Sequence, residues 1–261
     1  MSKLRLGGMA LRNGVMMHSR DHWAAAVRSP DGVLHVASGR KPELPAAATA
    51  TPLVRGVARI AEAIMLLPTV RTRLPQARLP LEGRPALAAV AAVSIGSRLL
   101  RRGGRSGALT EALSAGLSVV PAMAALRSSQ LARYHGAEHK AIGGYEQDRD
   151  ARLVSKEHER CGSHMVGPLL FATAAANVAV SGVSPRRRPA ARALASLVAM
   201  GAATEAFGWM TRNAGHPLAR ALARPGHELQ RIASTREPTG EELEVAEAAL
   251  DEVLRLEHAS R

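Results

Sequence analysis

The rest of the chain is organised around the stretch ARYHGAEHKAIGGYE, residues 132–146. On an α-helix its His135, Glu138 and His139 stand at i, i+3 and i+4, so all three side chains share one face. Two imidazoles one turn apart can reach a single divalent metal, and the glutamate between them can be a third ligand or a general base. The order His-x-x-Glu-His is the inverted zinc-peptidase pattern, which is weakly specific because it fixes only three residues.

A second polar segment, HERCG, begins at His158 and carries the one cysteine of the chain, Cys161. If it folds back onto the first segment, one metal site can draw on both. The candidate metal ligands are then His135, Glu138, His139, His158 and Cys161. Zinc is the expected cofactor, because imidazole and thiolate together suit it. Two other roles for the cysteine stay open: a small buried apolar side chain, or a nucleophile activated by a histidine.

The composition favours close-packed helices and an anionic partner. Apolar residues make up 46% of the chain but aromatic residues only 2%, so the core is expected to consist mainly of alanine, leucine and valine. The formal net charge of +13 suits an anionic membrane surface or nucleic acid. No nucleic acid is expected, because the basic segments have almost no aromatic side chains on which bases could stack. The start MSKLRLGG lacks the apolar region of a signal peptide.

The chain divides into a small β-containing N-terminal region with a linker, residues 1–51, and a helical region, residues 52–261. A Pro-Asp-Gly turn at residues 30–32 predicts a β-hairpin, because proline presets φ and glycine takes the positive-φ position. Asn-Gly at residues 13–14 predicts another turn.

Helix ends are signalled in two further places. Thr51 followed by proline predicts the start of a helix over residues 52–67, and the prolines of residues 68–85 predict a loop. Near the C-terminus, Thr239 and Glu242 form a capping-box pattern before an apolar stripe, which predicts an amphipathic helix that packs on the rest of the protein.

Four alanine-rich stretches without charged side chains predict two helical hairpins, each with an arginine-rich loop. The stretches are residues 85–97, 112–126, 161–185 and 193–204. A membrane helix needs about 20 mostly apolar residues, and arginines at the ends of shorter helices can extend them. The fold class expected is therefore mainly α, with transmembrane hairpins, a β-hairpin-containing cap and a C-terminal amphipathic helix. A soluble bundle of alanine-rich helices is the rival. Glu205, at the end of the last stretch, is expected to pair with an arginine, bind a metal or mark the helix end.

Four segments resemble, in the same order, a bacterial family of membrane proteins of unknown function, the YqhQ-like family (domain of unknown function 1385). They are GGMALRNGVMM, RYHGAEHKAIGGYE, HERCGSH and PGHELQRIASTREPTGEELEVAEAAL. The resemblance implies a multi-pass protein of the inner or plasma membrane and a metal-dependent enzyme. Glu159 and Ser163 replace the family's proline and threonine, which leaves every candidate ligand in place.

Two functional hypotheses follow. The first is an integral-membrane, zinc-dependent enzyme, a hydrolase of unspecified substrate, in which His135 and His139 are ligands and Glu138 is the general base or a ligand. His158 or Cys161 completes its ligand set. The alternative is a non-enzymatic membrane scaffold or assembly factor with a structural metal or none. A closed four-ligand site favours the alternative, because a catalytic site keeps an open position.

Overall fold

The computed structural model describes residues 3–80, 82, 88–89, 91–96, 99, 129–184 and 186–260, which are mainly helical with one antiparallel sheet. The strands are β1 (Gly7–Leu11), β2 (Gly14–His18), β3 (His22–Arg28) and β4 (Leu34–Arg40), in that order across the sheet. The helices are α1 (Ala46–Ala50), α2 (Val54–Arg73), α3 (Ser129–Gln147), α4 (Val166–Val180), α5 (Arg188–Arg212), α6 (Pro217–Leu229) and α7 (Gly240–Ala259). Two 3-10 turns, Ala151–Leu153 and Gly162–Met165, precede α4, and a π-helical turn, Gln230–Ser234, follows α6.

The predicted hairpin is confirmed as β3–β4, and it belongs to a larger sheet than the sequence predicted. Gly32 in its turn has φ 86°, a conformation that side chains disfavour. The Asn-Gly turn joins β1 to β2. The Asn13 side chain donates hydrogen bonds of 3.0 Å to the backbone carbonyls of Arg28 and Gln76, which fixes this turn against its neighbours. Four strands therefore form one continuous sheet in place of an isolated hairpin.

Both faces of the central strands β2 and β3 are buried. Met17 and Ala24 face α3 and α7, whereas Met16 and Trp23 face α2. Burial on both faces explains why β3, HWAAAVR, lacks the alternation of polar and apolar residues that marks a strand with one solvated face. The sheet thus shares its core with helices from beyond residue 51, where the sequence divides the chain. That division stays a prediction.

The predicted loop over residues 68–85 is wrong at its start, because α2 continues through Pro68 to Arg73. A proline inside a helix costs about 3 kcal/mol through a lost hydrogen bond and a steric clash. Leu66 and Val70, on either side of it, are fully buried against the sheet. Burying two such side chains contributes about 1.5–3 kcal/mol each, enough to offset that cost.

The start of α2 also differs from the prediction. Thr51 ends α1, and the N-cap of α2 is Leu53 in the left-handed conformation, with φ 65°. The Leu53 N–H donates a 3.2 Å hydrogen bond to the Glu205 carboxylate, and Arg55 Nε donates one of 2.7 Å. The predicted arginine partner of Glu205 is thereby confirmed, and this contact joins α2 to α5.

The predicted C-terminal helix is confirmed with its capping box. The Thr239 hydroxyl accepts a hydrogen bond from the Glu242 N–H, and the Glu242 carboxylate accepts one of 2.9 Å from the Thr239 N–H. The apolar stripe of α7, including Leu243, Ala246 and Val253, is buried against the sheet and α3.

Two helical segments of the described residues are long and apolar enough to cross a membrane, Gly162–Val180 and Arg188–Arg212. They pack against each other, as the second predicted hairpin requires. Only 22% of the most apolar window of each is buried. Phe171 and Leu194, for example, are 78% and 64% exposed. Most of the first predicted hairpin, residues 85–126, lies outside the described residues.

Candidate metal centre

The helix α3 places His135, Glu138 and His139 on one face, as their spacing predicts. A chain segment after the π-helical turn lies directly on this helix, and the Arg236 N–H donates a 2.9 Å hydrogen bond to the Ala132 carbonyl. A side chain at position 136 of α3 would collide with this segment, which accounts for a glycine there. The close contact brings the Ser234 carbonyl, which precedes Arg236, within hydrogen-bond distance of His135.

Backbone carbonyl groups fix the orientation and the tautomer of both histidines. Nδ1 of His135 lies 2.8 Å from the Ser234 carbonyl oxygen, and Nδ1 of His139 lies 2.6 Å from the Lys156 carbonyl oxygen. Because a carbonyl oxygen only accepts hydrogen bonds, each Nδ1 carries the hydrogen, and each neutral ring has its lone pair on Nε2. Metal-binding histidines are held in this way by their second ring nitrogen.

The two Nε2 atoms converge on the thiol of Cys161. His135 Nε2 lies 3.4 Å from Cys161 Sγ, and one ring nitrogen of each histidine and this sulfur lie within 4.8 Å of one another. Because each Nδ1 carries a hydrogen, the nitrogens free to bind a metal are the two Nε2 atoms, and we call these and the sulfur the donor triad. His139 Nε2 is buried and has no hydrogen-bond partner among the residues that the structure describes. A buried polar atom without a partner is rare, because it loses its interaction with water without compensation. A metal ion would satisfy it, so the donor triad fits a divalent metal.

Cys161 precedes the 3-10 turn Gly162–Met165, where its sulfur accepts a 3.5 Å hydrogen bond from the Ser163 N–H. Burial raises the pKa of the Cys161 thiol, and this hydrogen bond only partly opposes the shift. A thiol with a raised pKa is a poor free nucleophile. The environment of Cys161 is therefore unfavourable for the nucleophile that the sequence left open.

Glu138 lies beside the donor triad but outside it. It is buried, and its carboxylate packs on β1 at Gly8, where an added Cβ would be 2.5 Å from Oε1. Burial raises the pKa of Glu138 to about 7; His135 opposes this shift and Cys161 adds to it. A carboxyl group with a pKa near neutrality is suited to acid–base chemistry.

His158 is near the donor triad, but its nitrogen atoms are engaged elsewhere. Its Nε2 lies 3.2 Å from the Glu146 carboxylate, and its Nδ1 accepts a 3.3 Å hydrogen bond from the Arg160 N–H. Its ring centroid is 5.6 Å from that of His139. The structure thus brings three of the five predicted ligands together and places Glu138 and His158 beside them. The role of each as a ligand stays a prediction.

The donor triad forms part of the wall of a cavity of about 820 Å³, which we call the apolar cavity. Its polar lining includes Glu138 and Arg160. Most of the remaining lining is apolar and includes Leu6, Met9, Leu67, Leu131, Ile142 and Val166. The centre therefore faces a partly open cavity that can admit a ligand of ordinary size.

Several residues that shape the site were not identified from the sequence. The carbonyls of Ser234 and Lys156 cannot be found from side-chain type, because every residue has a carbonyl. Gln230, which is fully buried, accepts a hydrogen bond from the His158 N–H at 2.8 Å and donates one of 2.7 Å to the Ser163 hydroxyl. Its only sequence signal is its place in the C-terminal segment that carries the family resemblance.

The fold and the site define a mainly helical protein with one antiparallel sheet and a candidate two-histidine, one-cysteine metal centre. The model of the family described as "Protein of unknown function (DUF1385)" matches residues 117–256, and the chain belongs to this family. This confirms the resemblance found in the sequence. The match contains the whole donor triad, together with Glu138 and His158.

A relative from Bacillus subtilis (strain 168), "Uncharacterized protein YqhQ", is 32% identical over 133 residues. The similarity covers 49% of this chain and 42% of that protein, so the chain spans less than half of the relative's length. No solved structure matches the chain significantly.

Proposed function

We propose that this protein is a metal-dependent hydrolase of the inner or plasma membrane, whose metal is held by His135, His139 and Cys161. One observation carries the proposal. The buried Nε2 of His139, which has no hydrogen-bond partner in the described part of the chain, belongs to a donor triad whose atoms lie within 4.8 Å of one another on the wall of an 820 Å³ cavity. Three protein ligands beside a cavity leave a position for substrate, as in catalytic zinc sites. Zinc suits this donor set best.

The residues of the site divide the chemistry between them. When bound, the metal lowers the pKa of water and polarises a carbonyl or phosphoryl oxygen. Glu138 takes a proton from the attacking water as the bond from the water oxygen to the carbonyl carbon or phosphorus forms. Glu138 then passes this proton to the leaving oxygen as the bond to that oxygen breaks. The carbonyls of Ser234 and Lys156 fix the orientation of the His135 and His139 imidazoles, respectively.

The position of His158 supports an open centre. A closed site with three histidines and one cysteine would favour the scaffold alternative. Both ring nitrogens of His158 make hydrogen bonds, to Glu146 and to the Arg160 N–H, so no fourth ligand comes from this side chain as it stands.

The membrane location is supported by the exposed apolar surface of α4 and α5. The core helix of a soluble protein is mostly buried, whereas only 22% of the most apolar window of each candidate span is buried. Arginines follow α4 and begin α5, and a net charge of +13 suits an anionic bilayer surface.

The test uses protein purified in detergent, with a chromogenic carboxylic ester and a chromogenic phosphodiester as probes. We expect at least one probe to be hydrolysed, with activity lost on chelation and restored by zinc. Glu138→Gln should keep its metal and lose about 10²–10⁴-fold in turnover, the usual contribution of a general base. Glu241→Gln, an exposed glutamate on α7, is the matched control and should behave as wild type.

Two results would count against the proposal. Hydrolysis of neither probe by the zinc-loaded protein would contradict a hydrolase and favour the scaffold alternative. Loss of metal from Glu138→Gln would show that Glu138 is a ligand, so that its assignment as base is wrong.

A further inference from the structure

Two cavities of similar size meet beside β1. One is the apolar cavity, which contains the donor triad. The other, which we call the cationic cavity, measures about 780 Å³. Leu6, Gly7 and His18 line both, so the two are neighbours across the start of this strand. An added Cβ at Gly7 would be 2.8 Å from His18 Nε2, so a side chain there would crowd the junction.

The apolar cavity reaches the apolar surface of the protein. Ile64 on α2 lines it and is 54% exposed, and Val166, the first residue of α4, also lines it. The cavity is therefore open at Ile64, and its wall includes the start of one of the two helices that are long and apolar enough to cross a membrane. An apolar tail that enters such a cavity from water gains about 0.8 kcal/mol per buried methylene.

The cationic cavity has an excess of positive charge. Its lining includes four exposed arginines that have no acidic partner among the described residues: Arg5, Arg20, Arg40 and Arg59. Lys41 is already paired with Glu62 at 3.1 Å, which leaves two carboxylates, Asp21 and Glu43, against the four guanidinium groups. Guanidinium groups bind phosphate oxygens in a fork geometry, so the lining suits an anionic group that carries phosphate.

We infer that the protein binds an anionic, phosphate-bearing lipid, with its tail in the apolar cavity beside the donor triad and its headgroup in the cationic cavity. The inference names the class of substrate for the proposed function. Hydrolysis of this lipid rests on the proposed function, whereas its binding does not. Binding itself needs the two cavities and not the metal. A ligand that is apolar at one end and anionic at the other matches the pair of cavities, whereas a soluble phosphate would use only one of them.

The test measures binding of short-chain phosphatidylglycerol to chelator-treated protein in detergent by native mass spectrometry. We expect phosphatidylcholine with the same chains to bind about tenfold more weakly, a difference of about 1.4 kcal/mol. The Arg40→Gln/Arg59→Gln double variant should lose about the same factor for phosphatidylglycerol. Arg73→Gln, which removes one positive charge at the far, exposed end of α2, is the control and should bind as wild type.

A second pair of variants tests the tail. Ile64→Trp should obstruct the mouth of the apolar cavity and weaken phosphatidylglycerol binding by about tenfold. Met65→Trp, on the next residue of α2, is the control, since Met65 is 52% exposed and does not line the cavity. All the substituted side chains are exposed, so these variants should fold.

Four results would overturn the inference. Equal binding of the two lipids, or wild-type binding by the double arginine variant, would contradict the headgroup site. Wild-type binding by Ile64→Trp would contradict the tail site. Displacement of phosphatidylglycerol by an equal concentration of glycerol 3-phosphate would show that the ligand is a soluble phosphate. Because the protein is free of metal, these results are independent of whether the proposed hydrolase holds zinc.

Discussion

Two alanine-rich regions of this chain have opposite environments. In β3, Ala24, Ala25 and Ala26 are fully buried, because helices cover both faces of the sheet. In α4 and α5, only 22% of the most apolar window of each is buried, and large side chains such as Leu197, which is 59% exposed, are not covered. Alanine content therefore does not distinguish a buried strand from a helix with an exposed apolar surface. What distinguishes them is how much of each region its neighbours cover.

The candidate metal centre lies where these two regions join. His135 and His139 come from α3, which packs on the sheet and α7. Cys161 directly precedes the 3-10 turn that leads into α4. A metal held by all three would connect the buried region around the sheet to the hairpin of α4 and α5. Four substitutions test the difference between these two regions.

The largest effect is expected from a charge in the buried region. Val253 on α7 is fully buried against the sheet, so Val253→Asp should lower the free energy of unfolding by about 4 kcal/mol or more. Chemical denaturation in detergent measures this loss. Asp251→Asn, an exposed position on the same helix, should change it by less than about 0.5 kcal/mol. A small effect of Val253→Asp would contradict the buried core.

The same change in the hairpin tests the membrane location. Leu197 is 59% exposed in a candidate span, and a carboxylate near the middle of a membrane helix costs about 2.5–3.5 kcal/mol. Leu197→Asp should therefore reduce the membrane-inserted fraction, as measured by alkaline extraction of membranes. The control is Leu153→Asp, since Leu153 is 70% exposed outside both candidate spans. If both variants remain inserted as wild type, Leu197 does not face lipid.

A smaller effect is expected where the sheet touches the site. Gly8→Ala would place a Cβ 2.5 Å from the Glu138 carboxylate and displace it, which should lower hydrolysis about tenfold while metal content is unchanged. Gly162→Ala is the matched control, because an added Cβ there meets nothing within 4 Å. Full activity in Gly8→Ala would argue against Glu138 as the base.

The smallest effect concerns the contact of α7 with β4. Hydrogen bonds from Arg255 and Ser38 lower the pKa of Glu252 to about 2. Because the folded pKa lies below the ordinary value of 4.5, this contribution is present above about pH 4.5 and is lost as the pH falls through about 2. Glu252→Gln should lower the free energy of unfolding by about 1 kcal/mol at neutral pH. It should also flatten the pH dependence of that free energy between about pH 4.5 and pH 2. An unchanged acid profile would contradict the shift.

Local features of this fold were predictable from the sequence, and long-range ones were not. The Gly32 turn, the Thr239 capping box and the shared face of His135 and His139 follow from chemistry within a few residues. The passage of α2 through Pro68 depends on burial against a sheet far along the chain.

The same distinction holds within the site. The spacing of the histidines indicated the candidate metal centre. It could not choose Cys161 over His158 as the third donor, because that choice depends on Glu146 and the Arg160 N–H engaging the His158 ring. Nor could it identify the Ser234 carbonyl, which lies 99 residues beyond His135.

The most direct test of the donor triad is metal content, measured by elemental mass spectrometry on protein purified in detergent without chelators. We predict about one zinc per chain in the wild type and in His158→Ala, and loss of zinc in His135→Ala/His139→Ala and in Cys161→Ser. Wild-type protein without metal, or a double histidine variant that retains it, would contradict the metal centre. Loss of zinc in His158→Ala, together with retention in Cys161→Ser, would show that the third ligand is His158 and not Cys161.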